Sequence, residues 1–140
     1  MDITPDCITE LASNEVFIYG SNESGINGAG AARLAQEKFG AKHGVGFGHQ
    51  GQSFAIPTKD WNIVSLPLPV IKCYISRFLA YARTKPQKKF LVSKIGCGLA
   101  SFTPEQIAPF FFMFGPVPKN VALPAEFWDI GAFWDIGAEK

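Results

Sequence analysis

Short apolar runs rich in β-branched and aromatic residues alternate along this chain with glycine-rich turns and with stretches whose apolar positions recur at helical spacing. Val16 to Tyr19 is the first run, a β-prone strand that Gly20, Ser21 and Asn22 close with small residues suited to tight turns. Beyond Gly25, Gly28 and Gly30, the residues Ala31, Leu34, Ala35, Lys38 and Phe39 predict a helix with one apolar face, and Gly40 supplies its stop. A second helix is predicted over about residues 70–84, entered through Pro67 and Pro69. Its stripe is Ile71, Tyr74, Ile75, Phe78, Leu79 and Ala82, with Lys72, Arg77 and Arg83 off it. Gln52 to Pro57, Asn62 to Leu66, Phe90 to Ile95 and Asn120 to Leu123 read as further strands, and Ile8 to Leu11 as a short strand or turn. Thr103, Pro104 and Gln106 mark a helix start, with an N-cap, a proline at the first helical position and a capping-box partner. Ala41 to Gly51, with its four glycines, reads as a flexible surface loop in which His43 and His49 are solvated.

Strands alternating with helices predict an α/β fold whose sheet is covered on both faces, with ligand-gathering loops at the carboxyl ends of strands. Two such loops carry glycine and lead into helices: the one after Tyr19, and Gly96 to Phe102 after Ile95. A helix N-terminus presents unpaired N–H groups and roughly half a positive charge, which suits a phosphate or diphosphate. The plainer reading is a small-residue turn that lets a helix pack closely on a sheet. The first loop is not a P-loop, since GxxxxGK[ST] is absent, nor a dinucleotide fingerprint, since Arg33 stands where the third glycine belongs. The literal GxGxxG of Gly46, Gly48 and Gly51 leads into a strand and fails the context that motif requires.

Composition narrows the field. A chain of 140 residues, 47% hydrophobic and with 13 Phe, is one globular domain able to bury about two thirds of its unfolded surface. The net charge of +1 and the lack of a Lys/Arg run beyond Lys88 and Lys89 disfavour nucleic acid. Cys7, Cys73 and Cys97, odd in number and far apart, read as free thiols of a cytoplasmic protein rather than a disulfide frame or metal site. No signal peptide or membrane span is expected. FWDIGA occurs at Phe127 to Ala132 and again at Phe133 to Ala138, giving an aromatic tail over 127–140 beyond a domain of residues 1–126. The second copy is expected to be less ordered than the first.

VFIYGSNESGINGAGAA (Val16 to Ala32), GQSFAIPTKD (Gly51 to Asp60) and IGCGLASF (Ile95 to Phe102) together resemble the macro domain family, most closely its small phage and bacterial members. The resemblance implies a three-layer α/β/α arrangement around a mixed sheet, with ADP-ribose or an ADP-ribose conjugate as ligand and no cofactor. It puts Ser21, Asn22, Gly25, Ile26, Asn27, Gly28, Ala29 and Gly30 at the distal ribose and one phosphate. Gly96, Cys97, Gly98, Leu99, Ala100, Ser101 and Phe102 would wrap the diphosphate and distal ribose from the other side, Phe127 would stack on the adenine, and Asp6 would meet its amino group. Departures are visible: GSNESGING stands where catalytic members carry an NAAN run and a triple glycine. Ample main-chain donors without a clear acid–base pair favour a binder that sequesters an NAD-derived host immune signal. The alternative is a hydrolase acting on the distal ribose, with Asn27, Lys59 and Asp60 as its candidate residues and a favoured Cys97 thiolate as a further possibility.

Overall fold

The computed structural model describes residues 1–138, with side chains through Ala132. It is an α/β fold built on a mixed five-stranded sheet, β1 (Glu15–Asn22), β2 (Gly48–Gln50), β3 (Ser53–Lys59), β4 (Lys89–Val92) and β5 (Val121–Ala122), in the order β2-β3-β1-β4-β5. β1 lies at the centre and pairs in parallel with β3 and β4, β5 continues parallel on β4, and β2 is antiparallel to β3. The helices are α1 (Gly30–Lys38), α2 (Leu68–Arg83), α3 (Pro104–Ile107) and α4 (Ala125–Ala138), with a 3-10 turn at Ala108–Phe111.

Side-chain alternation in β1 divides the core. Val16 and Ile18 join Phe54, Ile56, Phe90 and Val92 in an apolar cluster with α2, α3 and the first turns of α4, while Phe17 and Tyr19 pack with Ala55 against Ala32, Ala35 and Phe39 at α1. The α2 stripe is as expected: Ile71, Ile75, Phe78, Leu79 and Ala82 are buried. Phe78 meets Phe54 and Phe90 edge-on, at centroid distances of 5.1 and 5.7 Å. A fully buried aromatic or aliphatic side chain of this kind contributes about 1.5–3 kcal/mol, so this cluster is the principal source of stability.

Several expectations need correction. β1 runs on to Asn22 instead of closing at Gly20, and β3 continues through Pro57 to Lys59. A proline is accommodated there because β2 pairs only as far as Ala55, leaving Pro57 without a ladder partner on that side. Asn62 to Leu66 is a turn fastened by a single bridge, Lys59 to Ser65, and Ile8 to Leu11 has no regular structure. The glycine-rich segment before β3 contributes the edge strand β2. His49 lies on it half-buried, with Nδ1 2.6 Å from Tyr81 Oη and Nε2 2.9 Å from the Gly51 carbonyl, so it is not a solvated loop residue. The capping box at Thr103 and Gln106 is present.

α4 runs through both FWDIGA copies, starts before the 126/127 boundary and sends Phe127 into the main core. Gly131 sits so close to Phe112 that a Cβ would lie 2.0 Å from its ring. The lesser order expected of the second copy, Phe133 to Ala138, and the tail's end at Lys140 fall outside the residues whose side chains are described.

Candidate functional site

The carboxyl ends of three adjacent parallel strands, β3, β1 and β4, lie side by side. The loop after β1 feeds α1 on one face of the sheet and the loop after β4 feeds α3 on the other, so a crevice opens between them. Gly20 marks the junction: a Cβ there would lie 3.4 Å from Gly96 N and 3.6 Å from Thr58 Oγ1. The resulting cavity measures about 370 Å³ and has Gly28 on one wall and Gly98 on the other.

Gly28, Ala29, Gly30, Ala31 and Ala32 line the cavity with the start of α1. Ala29 is the N-cap, no side chain caps this helix, and its first turn carries no acidic residue. The orphan N–H groups of that turn therefore have no side-chain acceptor, in contrast to α3, whose Thr103 and Gln106 satisfy their own. Opposite them stand Gly96, Gly98, Leu99 and Ala100, in a loop closed by Phe102 N to Gly96 O (2.8 Å) and Ser101 N to Gly98 O (3.0 Å).

The polar side chains of the first loop hold its shape. Asn22 Oδ1 accepts from Ser24 Oγ (2.7 Å) and Ile26 N (3.0 Å), while its Nδ2 donates to Ile26 O. Ser21 Oγ donates to the Gly46 carbonyl. Ser21, Asn22 and Ile26 do border the cavity; Gly25 and Asn27 do not. Gly25 is a structural glycine, with φ at +74° and the Val45 amide where a Cβ would stand. Asn27 is buried and points its Nδ2 at Gln36 Oε1, 3.0 Å away, and at the Lys42 carbonyl, and its Oδ1 has no partner.

In the second loop, Cys97 and Phe102 face the core, and Ser101 lies outside the cavity lining. Burial pushes the Cys97 thiol up to about 11, so the thiolate that a nucleophile needs is disfavoured. Phe127 is fully buried against Phe111, 5.9 Å between centroids, and is not in the cavity. Asp60 does not reach it either; its Oδ1 accepts from Asn62 N (2.8 Å) and Val64 N (3.0 Å) and organises the turn after β3.

Thr58, Lys59, Ile63, Ser93 and Lys94 form a third wall. In the sequence Lys59 is a hydrolase candidate and Thr58 belongs to the GQSFAIPTKD segment, whereas Ile63, Ser93 and Lys94 carry no site signal until the strand order is known. The ionisable groups lining the cavity are thus two lysines. The Glu126 carboxylate, 3.1 Å from Lys94 Nζ, raises the Lys94 ammonium above its ordinary value. A second cavity of about 300 Å³ shares Ala31, Ser93 and Lys94 with the first and adds Asp6, Phe17 and Leu34.

Cys7, Cys73 and Cys97 are free thiols. Among the described residues no group of three or more His, Cys, Asp or Glu gathers to hold a metal ion, and no helix is long and apolar enough to cross a membrane. Comparison of the chain with protein-family models, curated proteins and solved structures finds no match.

Proposed function

We propose that this chain binds an ADP-ribose-containing nucleotide in the cleft between its two glycine loops, in a macro-domain-like three-layer α/β/α arrangement, and holds it without turnover. The observation that carries the reading is the uncapped start of α1, whose N–H groups border the cleft opposite the backbone of Gly96 and Gly98. Charge-assisted hydrogen bonds from such amides to phosphate oxygens are among the stronger polar contacts a protein makes. Lys59 adds positive charge to the same walls, while the charge of Lys94 is offset by Glu126. The adjoining cavity, with Asp6, Phe17 and Leu34, suits a base whose ring meets apolar side chains and whose amino group donates to a carboxylate.

Binding is favoured over hydrolysis because Lys59 is the one proposed chemical group in the cavity, and its partners are engaged elsewhere: Asp60 in its turn, Asn27 with Gln36, and Cys97 as a half-buried thiol held protonated. In a phage setting the role is sequestration of an NAD-derived host signal. Calorimetry with ADP-ribose 1″-phosphate, followed by mass spectrometry of what is released on denaturation, tests both parts. Intact conjugate recovered in stoichiometric amount supports the reading. Recovery of a cleaved product alone would instead favour the hydrolase.

A further inference from the structure

We propose that the mouth of this cleft selects nucleotides whose terminal ribose carries an apolar group, with Ile63 and Leu99 as the side chains that seat it. The proposal rests on the nucleotide reading above and adds a specificity to it. Seven large apolar side chains are exposed among the described residues, and five of them, Ile26, Trp61, Ile63, Val64 and Leu99, lie on the three segments bordering the cleft. Scattered exposed apolar residues are ordinary, but their concentration at the entrance to one cleft marks a contact surface.

The backbone carries an independent sign. Only two non-glycine residues of the described chain have left-handed φ, Ile63 at 63° and Ser101 at 66°. One lines the cleft, and the other is two residues from Leu99 in the facing loop. A β-branched residue occupies this region only when its surroundings hold it there. Here Asp60 does so: its carboxylate accepts from Asn62 N and Val64 N, its amide donates to Val64 O (2.7 Å), and its carbonyl accepts from Ile63 N (3.1 Å). Ser65 Oγ then donates to the Ala100 carbonyl (2.9 Å), fastening this turn to the loop that bears Leu99. Ile63 and Leu99 are 43% and 70% exposed, so this arrangement is not explained by core packing.

The position along the cleft assigns the ligand's end. Ile26, Ile63 and Leu99 line the larger cavity and not the smaller one beside Asp6. With the base at Asp6 and the diphosphate at the α1 amides, a substituent on the terminal ribose meets this apolar rim. A hydrocarbon group gains contact there, whereas a bare hydroxyl gains little.

The test is calorimetric titration of the full chain with ADP-ribose and with its 1″-O-phenyl glycoside, in wild type, Ile63→Asn and Leu99→Ser. Asparagine tolerates the left-handed conformation, and Leu99 is too exposed for its loss to unfold the chain, which thermal melts will check. Wild type should prefer the phenyl glycoside by about tenfold, and each variant should reduce that preference, read as the ratio of the two affinities within the same variant, to about threefold or less. Equal affinities for the two probes in wild type overturn the proposal while leaving nucleotide binding intact. A preference that survives both substitutions also overturns it, since the substituent is then seated by other residues. Failure of wild type to bind ADP-ribose at all overturns the underlying reading, and this proposal with it.

Discussion

Gly28→Val and Gly98→Val isolate the ligand contribution of the two loops from their structural one. An added Cβ at either position meets no atom within 4 Å, and neither residue has left-handed φ, so both variants should fold with an unchanged melting temperature. In each the branched side chain projects from the wall of a cavity of about 370 Å³ and holds a phosphate away from the amides behind it. Each hydrogen bond to a charged group is worth about 1.5–3 kcal/mol net, so loss of one weakens ADP-ribose binding by about ten- to a hundredfold. Calorimetry on the purified variants, beside melts without ligand, reads both quantities. Gly25→Ala is the contrasting control: its Cβ would stand 2.3 Å from Val45 N on a left-handed backbone, so the melting temperature itself must fall. Affinity unchanged in both valine variants would refute the amide-cradle reasoning and leave the glycines with a packing role.

Other consequences follow from the same geometry. Phe127→Ala should destabilise the chain by about 3–5 kcal/mol in a denaturant titration, since the ring is fully buried against Phe111; the folded fraction should bind ADP-ribose with wild-type affinity, and a selective loss of affinity would restore the adenine-stacking role. Asp60→Ala removes the acceptor for two turn amides and should lower stability by about 1 kcal/mol, whereas Asp60→Asn, which keeps an acceptor oxygen, should retain most of it; an unchanged denaturation midpoint for the alanine variant would count against the turn assignment. His49 is held neutral, its pKa pushed below 6.5 chiefly by burial. The unfolded chain then binds the additional proton first, so the stability His49 contributes is present above pH 6.5 and is lost as pH falls below it through the lower folded-state pKa. His49→Gln should flatten this part of the stability profile between pH 7.5 and 5, as followed by urea midpoints; a profile identical to wild type would disprove it.

Much of the fold was legible because its signals are local. The α2 stripe, the glycine stop at Gly40 and the box of Thr103 with Gln106 depend on residues within one or two helical turns, and each is present in the fold. Legibility failed where the deciding neighbour was remote. Pro57 reads as a strand end unless it is known that β2 stops pairing two residues earlier. The alternating glycines before β3 read as a free loop unless Phe54 and Tyr81 are known to pack against His49. The side chains of Asn27, Cys97 and Phe102 sit in glycine loops but turn away from the cleft, which spacing along the chain does not encode.

The residues alone determined that this is an α/β protein with two glycine-bearing loops, each entering a helix, because strand propensity, helical periodicity and the need for small residues at tight turns are properties of neighbours in sequence. Only the tertiary structure decided that β1 lies between β3 and β4, and so that the Asp60 turn stands beside both loops to complete a third wall with Lys59, Ile63 and Lys94. Strand order is chosen by which apolar faces can be buried together across dozens of intervening residues, a balance of packing against loop closure that no short stretch of the chain contains.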